Sequence, residues 1–434
     1  MAKVWFKTFG CPTNFSESEA MIGLLQKAGF ELAKSIDEAY VIVLNICTVK
    51  GNTTALREIR NAVKDYPNKK LIIAGCITSD IIPEIREITE DASLIGTHNI
   101  KDIVSVAEET INDNPINAII PPENPDIKVS LPKIRQKPSI AIVPICSGCN
   151  GKCTYCSVRI VKGKLFSYPM EAIIEECHRA VTRGCKEIWI TSQDTASYMV
   201  DREKKSRLPE LVKRVAKIPG DFKIRVGMMN VNTIRPVIDD MIEAFKMEKV
   251  FKFLHLPAQS GNDEILRKMG RGYSTRQFKN TIMQFRDFIP DITISTDIIC
   301  GFPGEAKDQF KDSVKLIEEI EPDVLNVSKF RSRPGTEAAE MKERVDGEEV
   351  KRRSKMITSA FEWTAYKKNK EWLGKAGDII IDEQGKEGTN TIVGRNYAYR
   401  PVVVDNPGKK LKIGDTVKVK IIGYSKHDLR GELI

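Results

Sequence analysis

Apolar residues run through this chain in short blocks, and between most blocks lies a stretch whose apolar positions recur every three or four residues. The blocks have strand length and the stretches have helix period. In the first 112 residues the blocks fall at 4–9, 40–46, 71–74 and 94–95, with helical stretches starting near Ser16, Thr53, Ile81 and Lys101. Strands and helices in alternation predict an α/β domain with a doubly wound parallel sheet, because parallel neighbours need a crossover and a helix supplies it. The pattern lapses over 113–138, where Pro115, Pro121, Pro122, Pro125, Pro132 and Pro138 gather. That segment reads as a linker, or as a strap across the next domain.

A second, longer alternation starts at Ser139, with blocks near 140–145, 187–191, 223–227, 251–255, 292–296 and 324–330, and helical stretches such as 170–183, 275–288 and 308–319. Six such units with no antiparallel signal predict a partial (β/α)6 barrel over 139–348, whose chemistry belongs at the carboxyl ends of its strands. A basic connecting helix over 349–370 leads into 371–434, which holds strand patterns (378–382, 391–395, 401–404, 416–424 and 431–433) and no helix. Thr416-Val417-Lys418-Val419-Lys420-Ile421 alternates apolar with polar as a half-buried strand must. A small β-barrel of five strands is the expected last module, a type that commonly binds oligonucleotides.

Composition changes this picture only at its edges. With 41% apolar and 29% charged residues among 434, the chain matches soluble globular proteins, and no stretch is long and apolar enough to cross a bilayer. The start Met-Ala-Lys-Val-Trp-Phe-Lys lacks the apolar core of a signal peptide, so a cytoplasmic protein without a membrane partner is expected. In that reducing compartment the ten cysteines read as metal ligands or free thiols rather than disulfides. The net charge of +9 suits an anionic partner and ordinary solubility alike. Basic residues that can meet a phosphate backbone are Arg331 and Arg333 after the sixth barrel strand, Arg352 and Arg353 in the connecting helix, and Lys418 and Lys420 on the strand 416–424. A solvated face is the ordinary role of such runs, and 371–434 carries 11 Lys and Arg against 9 Asp and Glu, a weak bias.

The cysteines change more. Cys149, Cys153 and Cys156 follow the first barrel strand at C-x3-C-x2-C spacing, close enough for three thiolates to share one iron-sulfur cube. Three ligands on four irons leave one iron open to a group that is not protein. With Cys146 the run becomes C-x2-C-x3-C-x2-C, which can also hold zinc or a closed cluster. Four-cysteine zinc sites separate their pairs by about a dozen residues or more, so Cys146 reads as a strand-end core residue. In the amino-terminal domain Cys11, Cys47 and Cys76 each lie just past the carboxyl end of a predicted strand, the edge where open parallel sheets bind ligands. One such cysteine is ordinarily a small buried residue. Three at one topological level point to a second metal site. Cys177, Cys185 and Cys300 read as packing residues, and 301–305 as a turn before a helix.

The C-x3-C-x2-C spacing, with Tyr155 before the last cysteine, resembles the radical S-adenosylmethionine (SAM) enzymes. In those, the open iron chelates SAM and an electron cleaves it to a 5′-deoxyadenosyl radical. Polar residues at the predicted strand ends then mark a SAM pocket: Gln193 and Asp194, His255 and Gln259, Thr296 and Asp297, with Tyr155 beside the cluster. Essentially the whole chain resembles the methylthiotransferase family, its last segment the RNA-binding TRAM domain. Thr154-Tyr155-Cys156, 162–169, 187–192, 297–305 and 333–336 are similar to the archaeal and eukaryotic branch, which acts on N6-threonylcarbamoyladenosine beside the tRNA anticodon. Val161-Lys162-Gly163 stands where that branch usually has Arg-Gly. The C-terminal membrane anchor of some eukaryotic members is lacking, which favours a soluble archaeal-type enzyme. The resemblance implies two 4Fe-4S clusters, one on Cys149, Cys153 and Cys156 for SAM and an auxiliary one on Cys11, Cys47 and Cys76. It also implies two SAM per turnover, a flavodoxin- or ferredoxin-like electron donor, a sulfur source, and tRNA as partner. Open alternatives are isopentenyladenosine tRNA, a ribosomal protein aspartate, and a non-enzymatic iron-sulfur protein that binds RNA.

Overall fold

The structure is a computed structural model and describes residues 2–119 and 125–434; Pro121 and Pro122 lie outside them. The amino-terminal domain is one parallel sheet of β1 (Lys3–Thr8), β2 (Glu31–Leu32), β3 (Val41–Cys47), β4 (Lys70–Cys76), β5 (Ser93–Gly96) and β6 (Asn117–Ala118), ordered β2-β1-β3-β4-β5-β6. The order doubles back at β1 and β3, so helices cover both faces: α1 (Pro12–Lys27), α2 (Asn52–Asp65), α3 (Ile82–Ile88) and α4 (Ile103–Ile111). Two apolar clusters fill the two sides, one under α2 and α3 around Ile42, Leu44 and Ile59, the other under α1 and α4 around Val41, Val43 and Met21. β6 falls inside the proline-rich stretch, so the sheet takes its last strand from the segment expected to be linker.

The middle domain has six parallel strands in sequence order: β7 (Ile140–Pro144), with β8 (Cys146–Ser147) and β9 (Phe166–Ser167) inserted after it, then β10 (Glu187–Thr191), β11 (Lys223–Val226), β12 (Phe253–His255), β13 (Thr293–Cys300) and β14 (Val324–Lys329). β7-β10-β11 and β12-β13-β14 form two runs, joined by a bridge between Ile224 and Val250. The partial barrel is thus present as an open arc. The inserted β8 and β9 pair antiparallel, Cys146 with Ser167, and clamp the base of the loop that carries Cys149, Cys153 and Cys156. Two residues per strand leave no periodic signal to read, which is why the sequence showed no antiparallel pair.

Residues 125–138 form the strap. Val129 enters the barrel core, the Ile134 N–H donates to the Glu19 carbonyl of α1 at 3.0 Å, and Lys133 pairs with Glu176 of α6 (Met170–Thr182) at 3.4 Å, after α5 (Val158–Lys162) has ended the cysteine loop. Helix α1 also leans on β7, with the Ser16 hydroxyl bonded to the Ile142 carbonyl at 3.3 Å. Being covered on both sides, α1 buries Asn14, Ser16, Glu17, Ser18 and Glu19 as well as its apolar residues.

The last module closes a barrel of β15 (Ala376–Gln384), β16 (Thr391–Arg395), β17 (Pro401–Asp405), β18 (Thr416–Tyr424) and β19 (Leu429–Leu433). It docks on the amino-terminal ends of the middle strands. Ile188, Ile190, Ile224 and Leu254 face the helices, so their neighbours Trp189, Arg225 and Phe253 face the lumen. There the Arg225 guanidinium stacks on Trp189, Phe253 and Tyr399 with centroid distances of 5.0, 5.0 and 5.1 Å. Arg400 pairs with Asp323, and the Tyr397 hydroxyl donates to Asp291 at 2.7 Å.

Candidate functional site

At the opposite, carboxyl-terminal edge of the arc, the loop after β8 lines a cavity of about 370 Å³ with Cys149, Cys153 and Cys156, and with Arg159 and Glu337 at its margins. The lining contains no fourth thiol and no imidazole among the described residues. Cys146 is buried on β8, and its thiol bonds Ser192 instead. No three His, Cys, Asp or Glu side chains among the described residues gather tightly enough for a single metal ion. Three thiols around one cavity suit a four-iron cube with one position left open. Burial pushes the Cys149 thiol up to about 11, and ligation would have to release that proton.

Neighbouring elements fix the loop. The Thr154 N–H donates to the Met269 carbonyl at 3.1 Å, the Thr154 hydroxyl to Lys268 at 2.8 Å, and the Ala338 N–H to the Thr154 carbonyl at 2.8 Å. Gly270 has φ +69, and a Cβ there would stand 2.2 Å from the Lys152 carbonyl oxygen, so only glycine fits. The Arg271 guanidinium donates to the Cys153 sulfur at 3.3 Å and to the Tyr273 hydroxyl at 3.1 Å, while that hydroxyl donates to the Pro257 carbonyl at 2.9 Å. Gly270 and Arg271 lie in an unremarkable Met-Gly-Arg-Gly turn, and sequence reading missed both.

Several expected pocket residues turn out to brace it. The Tyr155 ring is buried against Phe302 at 6.4 Å, and its carbonyl accepts from Arg333 at 3.2 Å. Asp194 is buried and accepts from the Asn230 N–H at 3.0 Å and the Thr233 hydroxyl at 2.8 Å. Thr296 donates to the Leu256 carbonyl at 2.9 Å and accepts the Ala258 N–H at 3.0 Å, which uses its hydroxyl internally. All three therefore brace the rim of the expected pocket. Gln193, half-buried after β10, and Gln259, at φ +71 beside β13, stay at the edge. His255 bonds Asp297 at 3.1 Å, and Asp297 accepts from Asn326 at 2.6 Å, giving an oriented imidazole and carboxylate on the lumen side.

The proposed RNA contacts divide. Lys418 and Lys420 are exposed on β18, and Arg331 is exposed near the rim. Arg352 is exposed but paired with Glu349 at 2.7 Å. Arg333 is committed to the cysteine loop. Arg353 is corrected outright: it is 2% exposed and bonds Glu305 at 2.7 Å and Glu349 at 2.9 Å. Glu305 in turn accepts the Gly301 N–H at 3.0 Å, so Arg353 holds the 301–305 turn that places Phe302 under Tyr155.

Cys11, Cys47 and Cys76 converge as their strand ends do. Cys47 and Cys76 are register partners on β3 and β4, and the Cys76 thiol is raised first by its bond with Cys47 and then by burial. Asn14 gathers the group: its side-chain oxygen accepts the Cys11 thiol at 3.2 Å and lies 4.0 Å from the Cys76 sulfur, while its amide donates to the Ile46 carbonyl at 3.1 Å. Gly10, at φ +118, brings Cys11 over this edge, since a Cβ would stand 2.8 Å from the Cβ of Cys47. Val161 of α5 packs on Cys47 and Cys76. Helix α5, five residues long, thus follows one triplet and touches the other.

Models of three families match in this order: the uncharacterized protein family UPF0004 over 3–96, the radical SAM superfamily over 143–317, and the TRAM domain over 371–434. Fold and thiol loop together define a radical SAM enzyme. A radical SAM methyltransferase, TsrM, from Kitasatospora setae shares the fold over 78% of this chain and 75% of its own, with TM-score 0.56 and 12% identity. A protein of Methanothermobacter thermautotrophicus named probable threonylcarbamoyladenosine tRNA methylthiotransferase is 38% identical over 95% of this chain and 97% of its own. The human threonylcarbamoyladenosine tRNA methylthiotransferase is 34% identical over 99% of this chain and 74% of its own. The chain belongs to the radical SAM methylthiotransferase family, on the branch of these archaeal and eukaryotic proteins. No helix among the described residues is long and apolar enough to cross a membrane.

Proposed function

We propose that this enzyme converts N6-threonylcarbamoyladenosine beside the anticodon of tRNA to its 2-methylthio derivative, using two SAM. When bound, a cluster on Cys149, Cys153 and Cys156 would supply the radical and one on Cys11, Cys47 and Cys76 the sulfur, because an aromatic C–H has no useful acidity for a protein base. The observation that carries the reading is that each thiol triplet lies at the carboxyl end of strands in its own domain, and that α5, the helix following one triplet, packs on the other through Val161. The protein's task is placement. Arg271, Arg333 and Thr154 immobilise the first triplet, Asn14 and Gly10 the second, and His255 with Asp297 offers an oriented polar pair to the substrate inside the arc. Exposed Lys418 and Lys420 supply charge for a phosphate backbone.

The test is mass spectrometry of tRNA nucleosides after anaerobic incubation with the reconstituted enzyme, SAM and a low-potential reductant. A methylthio increment on N6-threonylcarbamoyladenosine is the expected result. An increment on isopentenyladenosine or on a ribosomal protein instead would move the substrate. SAM left uncleaved would remove the reaction altogether.

A further inference from the structure

The seam between the amino-terminal domain and the barrel encloses a charge that the protein around it does not cancel. The side chains of Glu17, Lys128 and Lys162 are 1%, 4% and 3% exposed, and both ammonium groups reach the same Glu17 oxygen, at 2.7 and 3.2 Å. Their other partners are the hydroxyl and carbonyl of Thr97, which carry no charge. His98 lies beside them and stays neutral, since burial and then the two lysines push it down to about 4. Burial and then Lys162 draw the Lys128 ammonium down against the pull of Glu17, and with both lysines protonated one carboxylate faces two cations. A buried charge without a counter-charge is among the costliest features a fold can hold.

The thiols of Cys76 and Cys11 lie close enough to act on Lys162, as does the buried hydroxyl of Tyr168. Three thiolates on a four-iron cube in its oxidised, doubly positive state sum to one negative charge, which equals the surplus. Lys162 belongs to the barrel, and its neighbour Val161 touches Cys47 and Cys76. The counter-charge therefore comes from the helix that follows the other thiol triplet, not from the domain that carries these ligands.

We propose that Lys162 is a positioning residue for the amino-terminal cluster, supplying the buried positive charge that balances a three-thiolate cube and sets its reduction potential. This rests on the assignment of Cys11, Cys47 and Cys76 to a cluster. Net charge beside a cluster is one of the levers that set its potential, and outer partners of metal ligands tune affinity.

The experiment uses the full chain with Cys149, Cys153 and Cys156 all changed to Ala, so that iron reports on the amino-terminal triplet alone. Lys162→Met should move the cluster's midpoint potential to more negative values and weaken iron retention against a chelator by about 10–100-fold. Lys162→Arg should restore both. In the iron-free parent chain Lys162→Met should raise the melting temperature, because Glu17 and Lys128 remain as a balanced pair; a merely structural lysine would lower it. Iron bound with the same potential and retention in Lys162→Met overturns the proposal and leaves the cluster assignment standing. No iron in the Cys→Ala background overturns the assignment, and this proposal with it.

Discussion

The two thiol triplets are built in opposite ways. Cys149, Cys153 and Cys156 sit on one loop, and their sulfurs line an open cavity. Cys11, Cys47 and Cys76 come from three strand ends, and two of them meet only because β3 and β4 pair in the register that sets Cys47 against Cys76. The first depends on neighbours that press a flexible loop into shape, namely Arg271, Arg333 and the close approach at Gly270. The second depends on a whole domain and on the seam behind it. A local site can be lost by one change without loss of fold, whereas a distributed site shares its fate with the sheet.

The largest expected effect separates the two by chemistry. Changing Cys11, Cys47 and Cys76 together to Ala should leave reductive cleavage of SAM intact and stop methylthiolation, read as 5′-deoxyadenosine formed without modified nucleoside. Unchanged methylthiolation would end the division of labour. Changing Cys149 alone should abolish both products. Next comes Glu17→Gln, which leaves Lys128 and Lys162 buried with no carboxylate between them. Breaking a buried ionic group in this way costs about 3–5 kcal/mol. Urea unfolding should show that loss in iron-free protein, and cluster loading on the amino-terminal triplet should recover part of it. Gly270→Ala should act on the other side only. Its Cβ would collide with the Lys152 carbonyl, so iron bound by the cavity triplet and SAM cleavage should fall while the amino-terminal triplet keeps its iron.

The sequence made the local triplet legible through spacing and the distributed one through repetition at strand ends. What joins them was hidden. Glu17 meets Lys128 and Lys162 across 111 and 145 residues, and no periodicity reports a contact of that range. Helix α1 begins at Pro12 rather than near Ser16, because its first turns are polar yet buried beneath two domains, which masks the apolar stripe. Proline at a helix start was the available signal. Arg353 stood in a basic run and read as solvent-facing. Only the fold of 301–305 shows that Glu305 had claimed it. The bracing bonds of Asp194 and Thr296 were likewise hidden, since position along a strand does not show which hydrogen bonds a side chain makes.

The smallest expected effect tests how far the distributed triplet leans on its seam. Glu19 of α1 is raised from 4.5 to about 7 by burial, against the lowering effect of Lys133, the Gln136 N–H and Arg135, with Glu176 adding to the rise. Below about pH 4.5 the carboxyl is neutral in folded and unfolded chains alike, and the shift costs nothing. Between 4.5 and about 7 the unfolded chain releases its proton while the folded chain keeps it, so stability falls as pH rises; above that the loss is constant. Glu19→Gln should remove this slope. Melting curves of parent and variant from pH 5 to 8 should therefore differ by roughly a few degrees, with the variant gaining toward pH 8. Retention of iron by the amino-terminal triplet should follow the same trend, and retention by the cavity triplet should not. A parallel change at both triplets would mean that the loop site, too, is held by the seam, and the contrast between a local and a distributed site would fail.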